Sequence, residues 1–193
     1  MAGPVVAAAV IIKNIDKFFL AHLKDSKKLN KEKRYHLYNI LKEKCFDYGI
    51  GIVEPEIIDK INIAQASFLA MKRAIVNLKN YPECPNFILV DGFKIPFINI
   101  PQNNLIKGED KSISIAAASI IAKVSRDKIM CENHKRYPCY NFYKNVGYGT
   151  FEHLKAIKKY GISPIHRKTF KKVSENIYCK KKSENQLNFN EYL

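Results

Sequence analysis

Residues 5–12 read VVAAAVII, eight consecutive small or β-branched apolar residues with no polar position among them. A strand with one wet face alternates apolar and polar residues, so a strand written this way has no face to give to water. The stretch Val5–Ile12 therefore reads as a strand covered on both sides. That requirement calls for layers above and below it, and hence for an α/β arrangement.

The remaining sequence supplies those layers. Leu37, Tyr38 and Leu41 recur at helical spacing among charges, predicting a helix from about Asn30 to Lys44. Ile61, Ala64, Phe68, Met71, Ile75 and Leu78 recur every three or four residues and predict a helix over Ile57–Lys79. The Ala/Ile-rich run ISIAAASIIAKVSRDKIM places a third helix over Ser114–Tyr137. A fourth covers Thr150–Lys159 and is stopped by Gly161 and Pro164. Asp47–Val53, interrupted by two glycines, and Phe87–Val90, bounded by Pro85 and Gly92, read as further strands. A loop and a hairpin-like stretch then lead to Gly108. Strands alternating with helices predict an α/β domain with a mixed sheet over residues 1–173. From Ser174 the chain reads SENIYCKKKSENQLNFNEYL, a helix end followed by a loose polar tail over 174–193.

Charge speaks to partners rather than to fold. Lys and Arg outnumber Asp and Glu by 33 to 18, a net charge of +15. Phosphates neutralised by such a chain release counterions, which favours nucleic acid. A solvated Lys-rich surface accounts for the same number, and charge alone leaves the two open. The five cysteines are odd in number and form no CxxC pair, so neither a disulfide framework nor a zinc site is signalled. A reducing cytoplasm is the expected compartment. No stretch approaches a membrane span. The run AGPVVAAAVII has no basic leader and reads as a strand, not a signal peptide.

Several residues could carry chemistry. Asp91 closes the apolar run FILVD. A carboxylate there needs a cation or several donors to stay ionised, although Asp-Gly is also a common turn cap. KGED, residues 107–110, adds Glu109 and Asp110 between a strand and a helix, and equally suits a surface turn. Ser112, Ser119, Lys123 and Arg126 fall near one line of the following helix, a polar stripe that faces water, a partner or a site. DSKKL, residues 25–29, offers Lys27 and Lys28 for phosphate contacts or for solvent. In VGYGTFEH, Tyr148 sits between two glycines before a helix capped by Thr150. Its ring could lie beside a sugar or base, or pack on the core.

Taken in order, AGPVVAAAVI, DSKKL, INIAQASFLAMKRA, LVDG, KGEDKSISIAAASIIAKVSRD, GYGTFEHLKAIKKYG and HRKTF resemble bacterial ribonuclease HII from Met1 to about Phe170. The resemblance implies an RNase H-like fold, with a mixed central sheet flanked by helices and a helical C-terminal part. It implies endonucleolytic cleavage of the RNA strand of RNA–DNA hybrids, and cleavage 5′ of single ribonucleotides embedded in duplex DNA, with Mn²⁺ or Mg²⁺. A monomer without membrane attachment is the expected form. Hard cations held by carboxylates suit such hydrolysis. By the resemblance Asp91 is the family's third acid. Glu109 stands at the fourth, where the family has Asp, and Asp110 is a possible substitute. Tyr148 matches the tyrosine beside the RNA–DNA junction. Lys27, Lys28, Ser119 and Lys123 match positions that support substrate or site geometry.

The sequence departs from the family pattern in three places. The first two acids belong to a D-E-x-G-R-G motif that would precede the segment matching Ala2–Ile11, and no such motif occurs in the 193 residues. Its absence also leaves a first strand wanting. Glu109 replaces Asp, and Val146 stands where the family usually has lysine. The expectation for the sequence as written is severely reduced or no cleavage. The alternative is a non-catalytic hybrid-binding or decaying member of the family.

Overall fold

A computed structural model describes residues 1–13, 30–79, 81 and 83–176. Lys27 and Lys28, with the rest of the DSKKL loop, lie outside the described residues, as does the tail from 177 onward. The chain divides into two compact units. One holds Val5–Val53 and Ile63–Arg126; the other holds Met1–Pro4, Glu54–Asn62 and the residues from Asp127 on.

In the first unit, strand β1 (Val5–Ile11) pairs antiparallel with β2 (Asp47–Val53), Val5 opposite Val53 and Ile11 opposite Asp47. Every residue of β1 is half-buried, with no alternation. Ala8, Val10 and Ile12 pack against a cluster that includes Leu37, Leu41, Ala117 and Ile121. Ala9 and Ile11 pack against a second cluster with Ile75, Leu78, Ile88 and Val90. The strand is thus covered on both faces, as its composition demands. Helix α1 (Lys31–Lys44) supplies Leu37, Tyr38 and Leu41. It starts at Asn30, whose side chain accepts a hydrogen bond from the Lys33 amide at 2.9 Å.

Helix α2 (Pro55–Val76) differs from the single helix expected over Ile57–Lys79. Asn62 (φ 68°, ψ 168°) breaks it into two helical segments, and the break coincides with the division between units. Asparagine tolerates positive φ better than most residues, and apolar periodicity gives no sign of a one-residue break. The two glycines of β2 do not interrupt the strand; they admit the helix. A Cβ at Gly51 would lie 1.9 Å from the Ala70 carbonyl oxygen, and one at Gly49 would lie 2.0 Å from that of Ala74. The α2 residues on this face, Ala66, Ala70 and Ala74, are buried and spaced by four. The side chains of Arg73 and Asn77 donate to the carbonyls of Ile52 and Ile50.

Strand β3 (Ile88–Asp91) pairs with β4 (Gln102–Leu105) in parallel, which corrects the hairpin-like reading of this stretch. Side chains hold the connecting loop. Gln102 both accepts from the Ile95 amide and donates to its carbonyl, and Asn104 donates to the Gly92 carbonyl. Among the described residues the four strands form one antiparallel and one parallel pair. A short helix α3 (Gly108–Lys111) and the long helix α4 (Ile113–Arg136) follow. Residues Ile113–Arg126 of α4 belong to this unit.

The second unit contains a 3₁₀ turn (Pro138–Tyr140), α5 (Phe142–Asn145) and α6 (Phe151–Tyr160). Ala2, Met130, Tyr140, Phe142 and Ile157 form its core. The buried Arg167 guanidinium donates to the carbonyls of Gly3 and Pro4, and its amide donates to Met1. Asp59 accepts from the amides of Lys168 and Thr169 and from the Thr169 hydroxyl. Cys45, Cys84, Cys131 and Cys139 are free thiols. Among the described residues no helix is long and apolar enough to cross a membrane.

The contact between β2 and α2 has no room for a methyl group. Gly51→Ala is expected to lower unfolding stability by about 2–3 kcal/mol through overpacking, read from the urea midpoint at unchanged m-value. An unchanged midpoint would contradict the close approach.

Candidate metal and nucleic-acid site

In β3, Ile88 and Val90 are buried in the second cluster, whereas Leu89 and Asp91 alternate to the opposite side and are exposed. Asp91 is therefore presented at the end of the strand by its parity. Its Oδ1 accepts a hydrogen bond from the Gly108 amide at 2.8 Å. That bond fastens the KGED turn to the strand end. Lys107 takes the left-handed conformation (φ 55°, ψ 49°) to enter the turn. Gly108 is buried, and a Cβ there would lie 2.6 Å from Ile115 Cδ1 and 3.1 Å from Asp91 Oδ1. Only glycine lets the turn come this close.

Glu109 and Asp110 form the first turn of α3; Glu109 is half-buried and Asp110 exposed. Helix α4 starts immediately after, with the Ser112 carbonyl accepting from the Ala116 amide at 3.0 Å. Ser119 lines the same cavity of about 500 Å³ as Asp91, and Lys123, one turn further along α4, is half-buried. The fold thus places Asp91, the KGED turn and Ser119 in one neighbourhood. Tyr148 belongs to the other unit.

Carboxylate oxygens are the right donors for Mg²⁺ or Mn²⁺, and Asp91 keeps Oδ2 beyond its bond to Gly108. Number is the obstacle. Such ions take about six oxygen ligands, and among the described residues no group of three or more His, Cys, Asp or Glu could hold a metal. Asp91 and Glu109 are a partial donor set and do not by themselves fit a metal ion.

Tyr148 does not pack into the core; the residue is 55% exposed. Its backbone, in contrast, is held from three sides. The Tyr148 amide donates to the Asn145 carbonyl at 2.8 Å, and its carbonyl accepts from the Thr150 amide at 2.9 Å. The same carbonyl lies 2.7 Å from His153 Nδ1. Thr150 caps α6 as expected, accepting from the His153 amide at 3.3 Å.

A buried network that the sequence reading missed lies beneath this turn. His153 Nε2 is 3.0 Å from His166 Nε2, and His166 Nδ1 accepts from the Ser163 amide at 2.9 Å. One proton arrangement satisfies every partner. His153 donates from Nδ1 to the Tyr148 carbonyl, so its Nε2 accepts; His166 donates from Nε2 to it and accepts at Nδ1. Both rings are then neutral. Burial pushes the His153 pKa down, and it pushes that of His166 to about 4, helped by the neighbouring ring. The available signal was the spacing of His153, Ala156 and Ile157, which form the buried face of α6.

Because the folded-state values lie below the ordinary histidine value of about 6.5, the unfolded chain binds more protons in between. Stability from the pair is fully present above pH of about 6.5 and is lost as pH falls toward about 4. Urea midpoints measured from pH 7 to 4.5 should fall. In His166→Gln, which cannot titrate, the slope should be shallower. Parallel profiles for the two proteins would remove the pair as the cause.

Comparisons with known proteins agree with these elements. A family model described as Ribonuclease HII matches residues 1–173. The ribonuclease HII of Clostridioides difficile (strain 630) is 53% identical over 172 residues, covering 89% of this chain and 66% of that protein. The chain thus spans just under two thirds of that curated relative. Among solved structures, the ribonuclease H2 of Pyrococcus horikoshii OT3 superposes with a TM-score of 0.71 at 25% identity, covering 91% of this chain and 90% of that one. Bst-RNase HIII in complex with Mn²⁺ is similar in fold, with a TM-score of 0.67 at 19% identity over 94% of this chain and 66% of that one.

Proposed function

The chain belongs to the ribonuclease HII family, and we propose that it serves hydrolysis of the RNA strand of RNA–DNA hybrids and cleavage 5′ of single ribonucleotides in duplex DNA. The observation that carries this reading is the bond from the Gly108 amide to Asp91. It holds one acid at a strand end against a turn bearing Glu109, in a sequence matching the family from 1 to 173.

In this proposal Asp91 and Glu109, with Asp110 as a substitute, are metal-binding acids. The ion is Mn²⁺ or Mg²⁺, and the fold neighbour solved with Mn²⁺ supports the choice of a hard cation. When bound, such an ion supplies Lewis-acid activation of water and stabilises the leaving oxygen. Since the 193 residues contain two of the four expected acids, no hydrolytic step is assigned to this pair alone. The other residues bind and orient. The exposed Tyr148 ring offers a flat face to the sugar at the RNA–DNA junction. Ser119, in the cavity that Asp91 also lines, and Lys123, one turn further along α4, support the substrate, and Lys27 and Lys28 contact phosphates. The +15 charge adds attraction independent of sequence.

The test uses a labelled duplex carrying one ribonucleotide, with Mn²⁺, resolved on a sequencing gel. The 193 residues alone should bind it in preference to plain duplex DNA, yet cleave at least about 100-fold more slowly than a full-length relative. Joined to a family D-E-x-G-R-G segment, they should cut 5′ of the ribonucleotide. Asp91→Asn in that joined protein should reduce the rate by about 100-fold or more. Cleavage by Asp91→Asn at the parent rate would overturn the assignment of Asp91.

A further inference from the structure

Among the buried groups of the second unit, one chain of hydrogen bonds runs in a single direction and ends on Tyr148. The Ser163 amide donates to His166 Nδ1 at 2.9 Å, and the Ser163 hydroxyl lies 2.8 Å from the same nitrogen. His166 therefore carries its proton on Nε2 and donates to His153 Nε2 at 3.0 Å. This places the His153 proton on Nδ1, which donates to the Tyr148 carbonyl at 2.7 Å. Tyr140 packs edge-on against His166, with ring centroids 4.8 Å apart, and Phe142 packs edge-on against His153 at 5.4 Å. These rings fix both imidazole planes.

His153 is 0% exposed. Burying a polar ring costs free energy unless its nitrogens are satisfied, so an apolar side chain would serve packing alone. What the histidine adds is a donor aimed at one backbone oxygen. That oxygen belongs to Tyr148, whose neighbours Gly147 and Gly149 bring no side chain to brace its ring. On the N-terminal side the Tyr148 amide donates to the Asn145 carbonyl. The buried Asn145 side chain accepts from the Gly147 amide and donates to the Tyr140 carbonyl. On the C-terminal side the Tyr148 carbonyl takes two donors, the Thr150 amide and His153 Nδ1, which use both of its lone pairs. Holding the amide and the carbonyl of one residue fixes its Cα–Cβ bond, from which the exposed ring projects. Recognition of a single hydroxyl needs such a group placed to within about 0.5 Å.

We infer that His153, kept in one tautomer by His166, is the positioning residue for Tyr148, and that its donor sets how strongly the chain prefers a ribonucleotide-bearing duplex to plain DNA. The inference rests on the reading of Tyr148 as the residue beside the ribonucleotide. His153 is too deeply buried to reach a substrate and acts through the Tyr148 backbone.

The test measures, by fluorescence anisotropy, the affinity of the 193-residue chain for a duplex with one ribonucleotide and for the same duplex in plain DNA. The readout is the ratio of the two dissociation constants. His153→Asn and His153→Gln separate the two contacts of the ring. The Asn amide nitrogen, like Nδ1, is two bonds beyond Cβ and can still donate to the Tyr148 carbonyl. That of Gln, like Nε2, is three bonds beyond and cannot replace it. His153→Asn should keep the preference within about twofold of the parent, and His153→Gln should lower it about fivefold, the size of one lost hydrogen bond. If His153→Gln does not fold by circular dichroism, His166→Leu withdraws the donor that keeps His153 Nε2 unprotonated and should lower the preference likewise. In the parent, nitrogen-15 spectra at about pH 7.5, above the ordinary histidine pKa, should show His153 protonated at Nδ1 and His166 at Nε2. Equal preferences for His153→Asn and His153→Gln, or a His153 proton on Nε2, would overturn the inference while Tyr148→Ala still loses the preference. A parent with no preference, or Tyr148→Ala with the parent's preference, would instead remove the reading of Tyr148 and the inference with it.

Discussion

The two-faced burial of β1 governs the first unit. Ala8 and Val10 are committed to the core beneath α1 and α4, and Ala9 and Ile11 to the core beneath α2. A strand in that position cannot slip by one residue without exchanging its two faces. Small residues at Ala7, Ala8 and Ala9 keep both helix layers close, and Gly49 and Gly51 do the same for α2 on the neighbouring strand. Backbone proximity, more than side-chain volume, sets the thickness of this unit.

The candidate site follows from that register. Since Ile88 and Val90 are buried with Ile75 and Leu78, Asp91 falls on the opposite parity and emerges at the strand end. The KGED turn is then drawn to it by a single charge-assisted hydrogen bond from Gly108, in a space too tight for any Cβ. Position and chemistry are linked here. The bond that orients the carboxylate also fastens the turn bearing Glu109 to the strand end and leaves Oδ2 available. A cavity of about 500 Å³ lies beside Asp91.

The second unit uses buried polar groups where the first uses glycine. Arg167, His153, His166 and Ser163 are all buried, and the hydrogen bonds of the histidine pair require neutral rings in one tautomeric order. Such networks define one arrangement of a loop at the expense of acid tolerance. The outcome for Tyr148 is a backbone held by hydrogen bonds beneath an exposed ring.

Local pattern already settled several features. The apolar run at 5–12 required a two-face-buried strand, the apolar spacings located the helices to within a few residues, and Asn30 and Thr150 marked two helix starts. The motif order identified the family and offered Asp91, Glu109 and Tyr148 as candidates. These follow from periodicity, capping chemistry and motif, all of which are local in the chain. Other features depended on which segments meet. The parallel pairing of β3 with β4, the break at Asn62 and the role of Gly51 under Ala70 have no local signature. Nor did the sequence reveal the proton order of His153 and His166. Each arises from contact between residues far apart in the chain, and only the tertiary structure fixes which hydrogen-bonding edges and which carbonyls come to face one another.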